Sequence, residues 1–214
     1  MTLERTDAGR AARPESPYIG EALRVRRHEL GWSLRDLADR LGCSPSLISQ
    51  IERGRANPSV STLYSIVQAL DVSLDELLFN ERRATATEPP PGGPIQRGSE
   101  RHRIRLASGV LWERLTTVSE PGVEFLHVTY EVGGASSPAD AFQRHAGHEW
   151  GYVVSGSLQV TIGFRQYLLE PGDAISLDSM TPHRLANVGD VPVHAIWFVL
   201  GRNEDDTHPS AAGV

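Results

Sequence analysis

The chain has 214 residues, enough for one large or two small domains, and its 39% hydrophobic content can fill two modest cores. A net charge of −6 excludes a polyanion-binding tail as its main character, and the single Cys43 excludes an internal disulfide and a cysteine-rich zinc site. All 21 basic residues are arginine, whose permanent charge and planar donor fork suit phosphate and guanine. The N-terminal MTLERTDAGRAARPESP lacks the apolar stretch of a secretory signal, and no apolar run approaches the ~20 residues that span a bilayer, so a cytoplasmic protein is expected.

Residues 1–17 are polar and punctuated by proline and glycine, and are expected to be a disordered tail. Helical spacing then runs over 18–80. Ala22, Leu23, Val25 and Leu30 start one helix, closed by Gly31. Ser33 is the N-cap of LRDLADRL, with Asp36 as its capping-box partner and Gly42 as the stop. Ser44 caps a third helix with Pro45 at its first position and Gly54 past its end. A fourth runs near Ser61 to Leu70, and Ser73 caps a fifth, LDELLF. Five short helices define a compact all-α domain. In it, Leu37, Ala38, Leu41, Ile48 and Ile51 fall where two crossing helices need apolar contacts.

The stretch WSLRDLADRLGCSPSLISQIERGRANPSVSTLYSIVQAL resembles the helix-turn-helix domains of phage repressors and XRE-type regulators. The resemblance implies a five-helix lambda-repressor-like fold whose third helix enters the major groove. Carried over by position, Pro45, Ser46, Ser49 and Gln50 face the DNA, with Ser46 and Gln50 best placed for base edges, because an amide pairs bidentately with adenine. Ser44, Arg53 and Arg55 lie near phosphates, and Arg27 and Glu52 match an internal salt bridge of such domains. Residues 18–80 carry seven Arg against eight Asp or Glu, so affinity for double-stranded DNA requires a local patch and a homodimer reading two half-sites.

Residues 81–100, ERRATATEPPPGGPIQRGSE, have no period and read as a linker. From 101 to 201 the pattern changes. VEFLHVTYEV, WGYVVSGSLQVTI, YLLEPGDAISL and HAIWFVL are short, β-branched or aromatic, and separated by turn residues, the rhythm of an antiparallel sandwich or barrel. The end of the chain, 202–214, reads as a flexible tail.

In a regular strand Gln143, His145, Gly147 and Glu149 share a face and His148 points away, with Gly147 the place where the strand can bend. After the Pro171-Gly172-Asp173 turn, His183, Leu185 and Asn187 share another face, and antiparallel strands would set His183 opposite His145 and Glu149. The two segments resemble the two cupin motifs: His145, Glu149 and Gly156, then Pro171 to Asp173, Pro182 to His183, and Asn187. The resemblance implies a double-stranded β-helix, a jelly-roll barrel, often dimeric, with its site inside. Where the family usually has a further histidine, this chain has Gln143. His145, Glu149 and His183 remain, a two-histidine, one-carboxylate set suited to one divalent metal (Fe, Mn, Ni, Zn or Co), with Gln143 as a weak fourth oxygen ligand. A metal-free pocket, with the same groups binding an organic ligand, is the competing reading. Phe142, Tyr152, Phe164 and Trp197 are candidate lining residues, and His102, His127, His194 and His208 are structural or solvated.

The two resemblances together imply a transcriptional regulator of the XRE family. Its cupin barrel senses a small molecule or metal and dimerises, while its helix-turn-helix reads an operator. The alternative is a mononuclear iron oxygenase, because FQRHAGHEWGYVVSG also resembles the iron motif of hydroxypropylphosphonate epoxidase. The lack of lysine and the small polar residues of the third helix favour the regulator, for which no catalytic residue is assigned. A barrel that has lost its ligand and acts as a scaffold is a third possibility.

Overall fold

The computed structural model of the protein describes residues 18–72, 77, 93–118 and 122–201. Helices α1 (Tyr18–Glu29), α2 (Leu34–Leu41), α3 (Pro45–Glu52) and α4 (Val60–Leu70) form the first half. The expected fifth helix lies outside the described residues apart from Leu77, which is buried. Both tails and residues 81–92 of the expected linker also lie outside them.

Local chemistry sets the helix ends. The Ser33 hydroxyl accepts the Asp36 amide at 3.1 Å and the Asp36 carboxylate accepts the Ser33 amide at 2.7 Å, closing the capping box. These hydrogen bonds hold the Asp36 carboxyl below its usual range. Helix α2 stops at Gly42, whose left-handed φ of 63° glycine adopts without steric penalty. Ser44 caps α3, its hydroxyl accepting the Leu47 amide at 3.2 Å, and Pro45 sits where no amide donor is needed. Helix α4 starts earlier than expected, capped by Ser59, whose hydroxyl accepts the Thr62 amide.

Leu23, Leu37, Ala38, Ile48, Ile51, Leu63 and Leu70 are buried between these helices, and Leu41 is half-buried. Val25 is exposed; Arg27 takes the inner face of α1 instead. Its guanidinium meets Glu52 at 2.6 and 3.0 Å and donates to the Trp32 carbonyl at 2.7 Å, pinning α1 to the end of α3. The pair is internal, as the resemblance implied, with both side chains 6% exposed.

The second half is antiparallel: β1 (Arg103–Leu106), β2 (Val110–Arg114), β3 (Val123–Tyr130), β4 (His148–Ser155), β5 (Leu158–Ile162), β6 (Arg165–Leu169), β7 (Ala174–Asp178), β8 (His183–Asn187) and β9 (Val193–Leu200). A six-stranded sheet has the order β1-β2-β3-β9-β4-β7 and a three-stranded sheet the order β6-β5-β8. The half is therefore a cupin-like β domain following a helical one. Strands β1 and β2 were not among the expected segments, since RIRL and VLWER interleave charge with apolar residues.

The halves touch. The Ala107 amide donates to the Pro58 carbonyl at 3.0 Å and the Ser61 amide to the Ser136 carbonyl at 3.1 Å. Buried apolar residues form one continuous cluster through both, with Tyr64 of α4 packed against it. No described helix is long and apolar enough to cross a membrane.

Candidate metal centre and nucleic-acid interface

His145, Glu149 and His183 come together in the β domain, all buried, with their ligand atoms within 4.8 Å of one another. Of the expectations about how they meet, the bend at Gly147 is found and the strand pairing needs correction. Residues 143–149 are not one regular strand: Gly147 has φ 101°, and β4 begins only at His148. His183 does not face His145 and Glu149 on a paired strand either, since β8 belongs to the small sheet and β4 to the large one. The site bridges the sheets. Gln143 and His183 exchange backbone hydrogen bonds at 2.9 and 3.0 Å, and the His145 amide donates to the Ser179 carbonyl at 3.1 Å.

The Glu149 carboxylate is the hub. Its Oε1 lies 2.9 Å from His145 Nε2, 3.2 Å from His183 Nε2 and accepts the Ser179 hydroxyl at 2.9 Å; its Oε2 accepts the Trp197 indole N–H at 2.5 Å. Trp197 reaches it by lying over Gly151, where an added Cβ would overlap the indole ring. Burial alone would raise the Glu149 carboxyl; the hydrogen bonds and charge of His145 and His183 outweigh it and hold the group well below its usual range. Tyr130, deeply buried and near Glu149, is pushed up, by burial first and by that charge second.

The outer nitrogens of both imidazoles are committed. His145 Nδ1 lies 3.0 Å from the Ala146 carbonyl and His183 Nδ1 2.9 Å from the Thr181 carbonyl. A carbonyl only accepts, so each Nδ1 carries the hydrogen, and in the neutral rings both Nε2 lone pairs aim at a carboxylate oxygen. Protonated rings donate Nε2–H to the Glu149 oxygen, and neutral rings offer two Nε2 lone pairs beside it, a set that a cation can bridge. Gln143 Nε2 lies 2.9 Å from His183 Nε2, to whose lone pair it donates when that ring is neutral, and its buried Oε1 has no hydrogen-bond partner. The donor set, two imidazole nitrogens, a carboxylate and a spare amide oxygen, fits a divalent metal.

Of the candidate lining residues, only Trp197 is inside. Phe142 and Tyr152 are about half exposed and Phe164 fully so. His148 faces outward against Trp150, as expected. His127 Nδ1 donates to the Glu113 carboxylate at 2.7 Å and its ring stacks on His194, which meets the Thr129 hydroxyl at 3.2 Å, so both are structural. His208 lies outside the described residues. Asn187 serves the fold, its amide donating to the carbonyls of Tyr130, Glu131 and Val191. Sequence reading missed Ser179 and the indole donor role of Trp197. The alternation Val193, Ala195, Trp197, Val199 was the available signal for the second.

In the helical half, Ser44, Pro45, Ser46, Gln50, Arg53 and Arg55 are exposed and Ser49 is half-buried, all on or beside α3. Gln50 Nε2 rests on the Ser46 hydroxyl at 3.4 Å, leaving the amide at the surface.

Residues 23–77 match the helix-turn-helix family and residues 126–199 the cupin domain family. An uncharacterized HTH-type transcriptional regulator, y4dJ, of Sinorhizobium fredii is 39% identical over 75 residues, which are 35% of this chain and 90% of that protein. The Escherichia coli HTH-type transcriptional regulator SutR is 25% identical over 188 residues, 83% of this chain and 91% of its own. Among solved structures, an HTH_3 family transcriptional regulator from Vibrio cholerae superposes with a TM-score of 0.61 at 21% identity, covering 86% of this chain and 95% of that one. Hydroxypropylphosphonic acid epoxidase from S. wedmorenis has a TM-score of only 0.45 at 23% identity, over 87% and 98% of the chains, too loose a likeness to carry the oxygenase alternative. The chain belongs to the HTH-type transcriptional regulators, and within them to those that carry a C-terminal cupin domain.

Proposed function

We propose that the protein binds an operator through α3 and senses an effector through the His145–Glu149–His183 site. The observation that carries this reading is the pairing, in one chain, of an exposed polar helix with a buried, cation-seeking donor set. Ser46, Ser49 and Gln50, with Pro45 at the helix start, read base edges, while Ser44, Arg53 and Arg55 hold phosphates. His145, Glu149 and His183, with Gln143 as a fourth donor, hold one divalent metal, and the effector is that metal or a small molecule bound beside it. The working units are 18–80 as reader, 81–100 as linker and 101–201 as sensor, in a cytoplasmic protein.

The reader acts as a homodimer. Residues 18–80 carry one more acidic than basic residue, so a single copy offers few phosphate contacts. The outer face of the large sheet supplies the contact. Trp150, Tyr152, Val154 and Leu200 are exposed there, and Trp150, Phe198 and Phe125 form an aromatic row across three strands. A Trp150→Arg variant is expected to sediment as a monomer while keeping its fold. If the wild-type protein is itself monomeric at micromolar concentration, the dimer is wrong.

A gel shift with the DNA upstream of the gene tests the reader at ~100 mM salt, where non-specific binding is weakened. Wild type is expected to bind selectively and Gln50→Ala to lose selectivity. The absence of any selective shift would remove the operator-reading role assigned to α3. Metal content of the purified protein, compared with that of His145→Ala, tests the sensor and separates it from a scaffold whose barrel is inert.

A further inference from the structure

The reader domain reaches into the sensor site. The Tyr64 ring of α4 sits 4.7 Å from the His145 ring and 5.6 Å from Trp112 of β2, both centroid to centroid. His145 in turn meets the His183 ring edge-on at 5.3 Å. Tyr64 is therefore the neighbour of a metal-ligand histidine, contributed by the DNA-binding half. Two backbone hydrogen bonds flank it, Ala107 to Pro58 and Ser61 to Ser136, so the start of α4 is seated on the β domain around its first turn.

We infer that Tyr64 is the coupling residue between the halves: filling the His145–Glu149–His183 site tightens the seating of α4 on the barrel. This rests on the metal-site reading above. The reasoning is mechanical. Without a cation the ring is held by hydrogen-bond-length contacts, Nδ1 to the Ala146 carbonyl at 3.0 Å and Nε2 to a Glu149 oxygen at 2.9 Å, and by no metal–ligand bond. A cation bonded to that nitrogen fixes the ring, and a fixed ring is the better packing surface for Tyr64. The loop that carries Pro58 joins α3 to α4, so seating α4 sets the direction in which α3 is presented. Coupling of this kind is reciprocal: whatever docks α4 also tightens the metal, by the same factor.

Hydrogen exchange on the full chain, with Mn²⁺ or with a chelator, tests this alongside calorimetric Mn²⁺ titration. In wild type, Mn²⁺ is expected to slow exchange across α4 and at Ala107, and to leave α2 and α3 amides unchanged. Tyr64→Ala should abolish that slowing and weaken Mn²⁺ binding about three- to tenfold, the range an aromatic contact supports. Tyr64→Phe, which keeps the ring, should restore both. If Tyr64→Ala melts, Tyr64→Leu replaces it, keeping apolar bulk without the ring. Bound Mn²⁺ with unchanged α4 exchange, or a Tyr64→Ala protein with wild-type affinity and slowing, overturns the coupling and leaves the metal site standing. A wild-type protein that binds no Mn²⁺ overturns both.

Discussion

The face of α3 and the interior of the barrel use polar side chains in opposite ways. On α3, Ser46 and Gln50 are exposed and meet each other only at 3.4 Å, so their hydrogen-bonding capacity is left for an outside partner. In the β domain, Glu149 is buried and both its carboxylate oxygens have polar neighbours at 2.5 to 3.2 Å. A surface reader is held by what lies behind it: Ile48 and Ile51 anchor α3 in the core while the other face stays bare. An enclosed sensor is held by its own polar partners, so that removing any of them unbalances the rest. Substitutions behind α3 should therefore cost stability, those on its face should cost only DNA binding, and those around Glu149 should act on the ligand.

The largest effect is expected behind α3. Arg27→Ala leaves the Glu52 carboxylate buried without its partner and should destabilise the helical half by about 3 kcal/mol. Urea unfolding measures this, and replacing both residues with apolar ones (Arg27→Met with Glu52→Leu) should recover most of it. A loss below about 1 kcal/mol would mean the pair is solvated, as surface pairs are.

Next comes Trp197→Phe. The ring still covers Gly151, but Glu149 Oε2 loses its indole donor. Loss of such an outer partner of a metal ligand typically costs about 10- to 100-fold in metal affinity. Calorimetry with Mn²⁺ reads it, and unaltered affinity would show that the indole only fills space. The smallest effect is Gln50→Ala, which should leave the unfolding curve in place and weaken operator binding by about 1–2 kcal/mol, a typical value for a lost base contact. A shifted unfolding midpoint would place Gln50 in the fold rather than the interface.

The helical half was readable because its information is local. Ser33 with Asp36, Gly42, and Ser44 with Pro45 each act within four residues, and each cap stands where the sequence set it. The start of α4 came within one residue, and its cap, Ser59, stands beside Ser61 and Thr62, which offer the same hydroxyl chemistry. In the barrel the three site residues were legible as motif positions, but their meeting was not. The left-handed turn at Gly147 and the sheet change between β4 and β8 replace the regular strand pairing that alternation suggests. Lining residues failed for the same reason: Phe142, Tyr152 and Phe164 look like pocket aromatics until the register turns Tyr152 outward with Trp150. Tyr64 was invisible, because nothing in STLYSIVQAL signals that one of its residues touches a histidine some eighty positions away.

On the proposed function, one molecule reads DNA with α3 and adjusts that reading from its β domain. Fluorescence anisotropy with a labelled upstream duplex, at ~100 mM salt, tests it in one titration series. Wild type should bind with an affinity that differs at least about fivefold between Mn²⁺-loaded and chelated protein, the lower end of typical coupling between sites. Glu149→Gln should bind DNA with no such dependence. An affinity that is the same in both states of the wild-type protein would contradict the account.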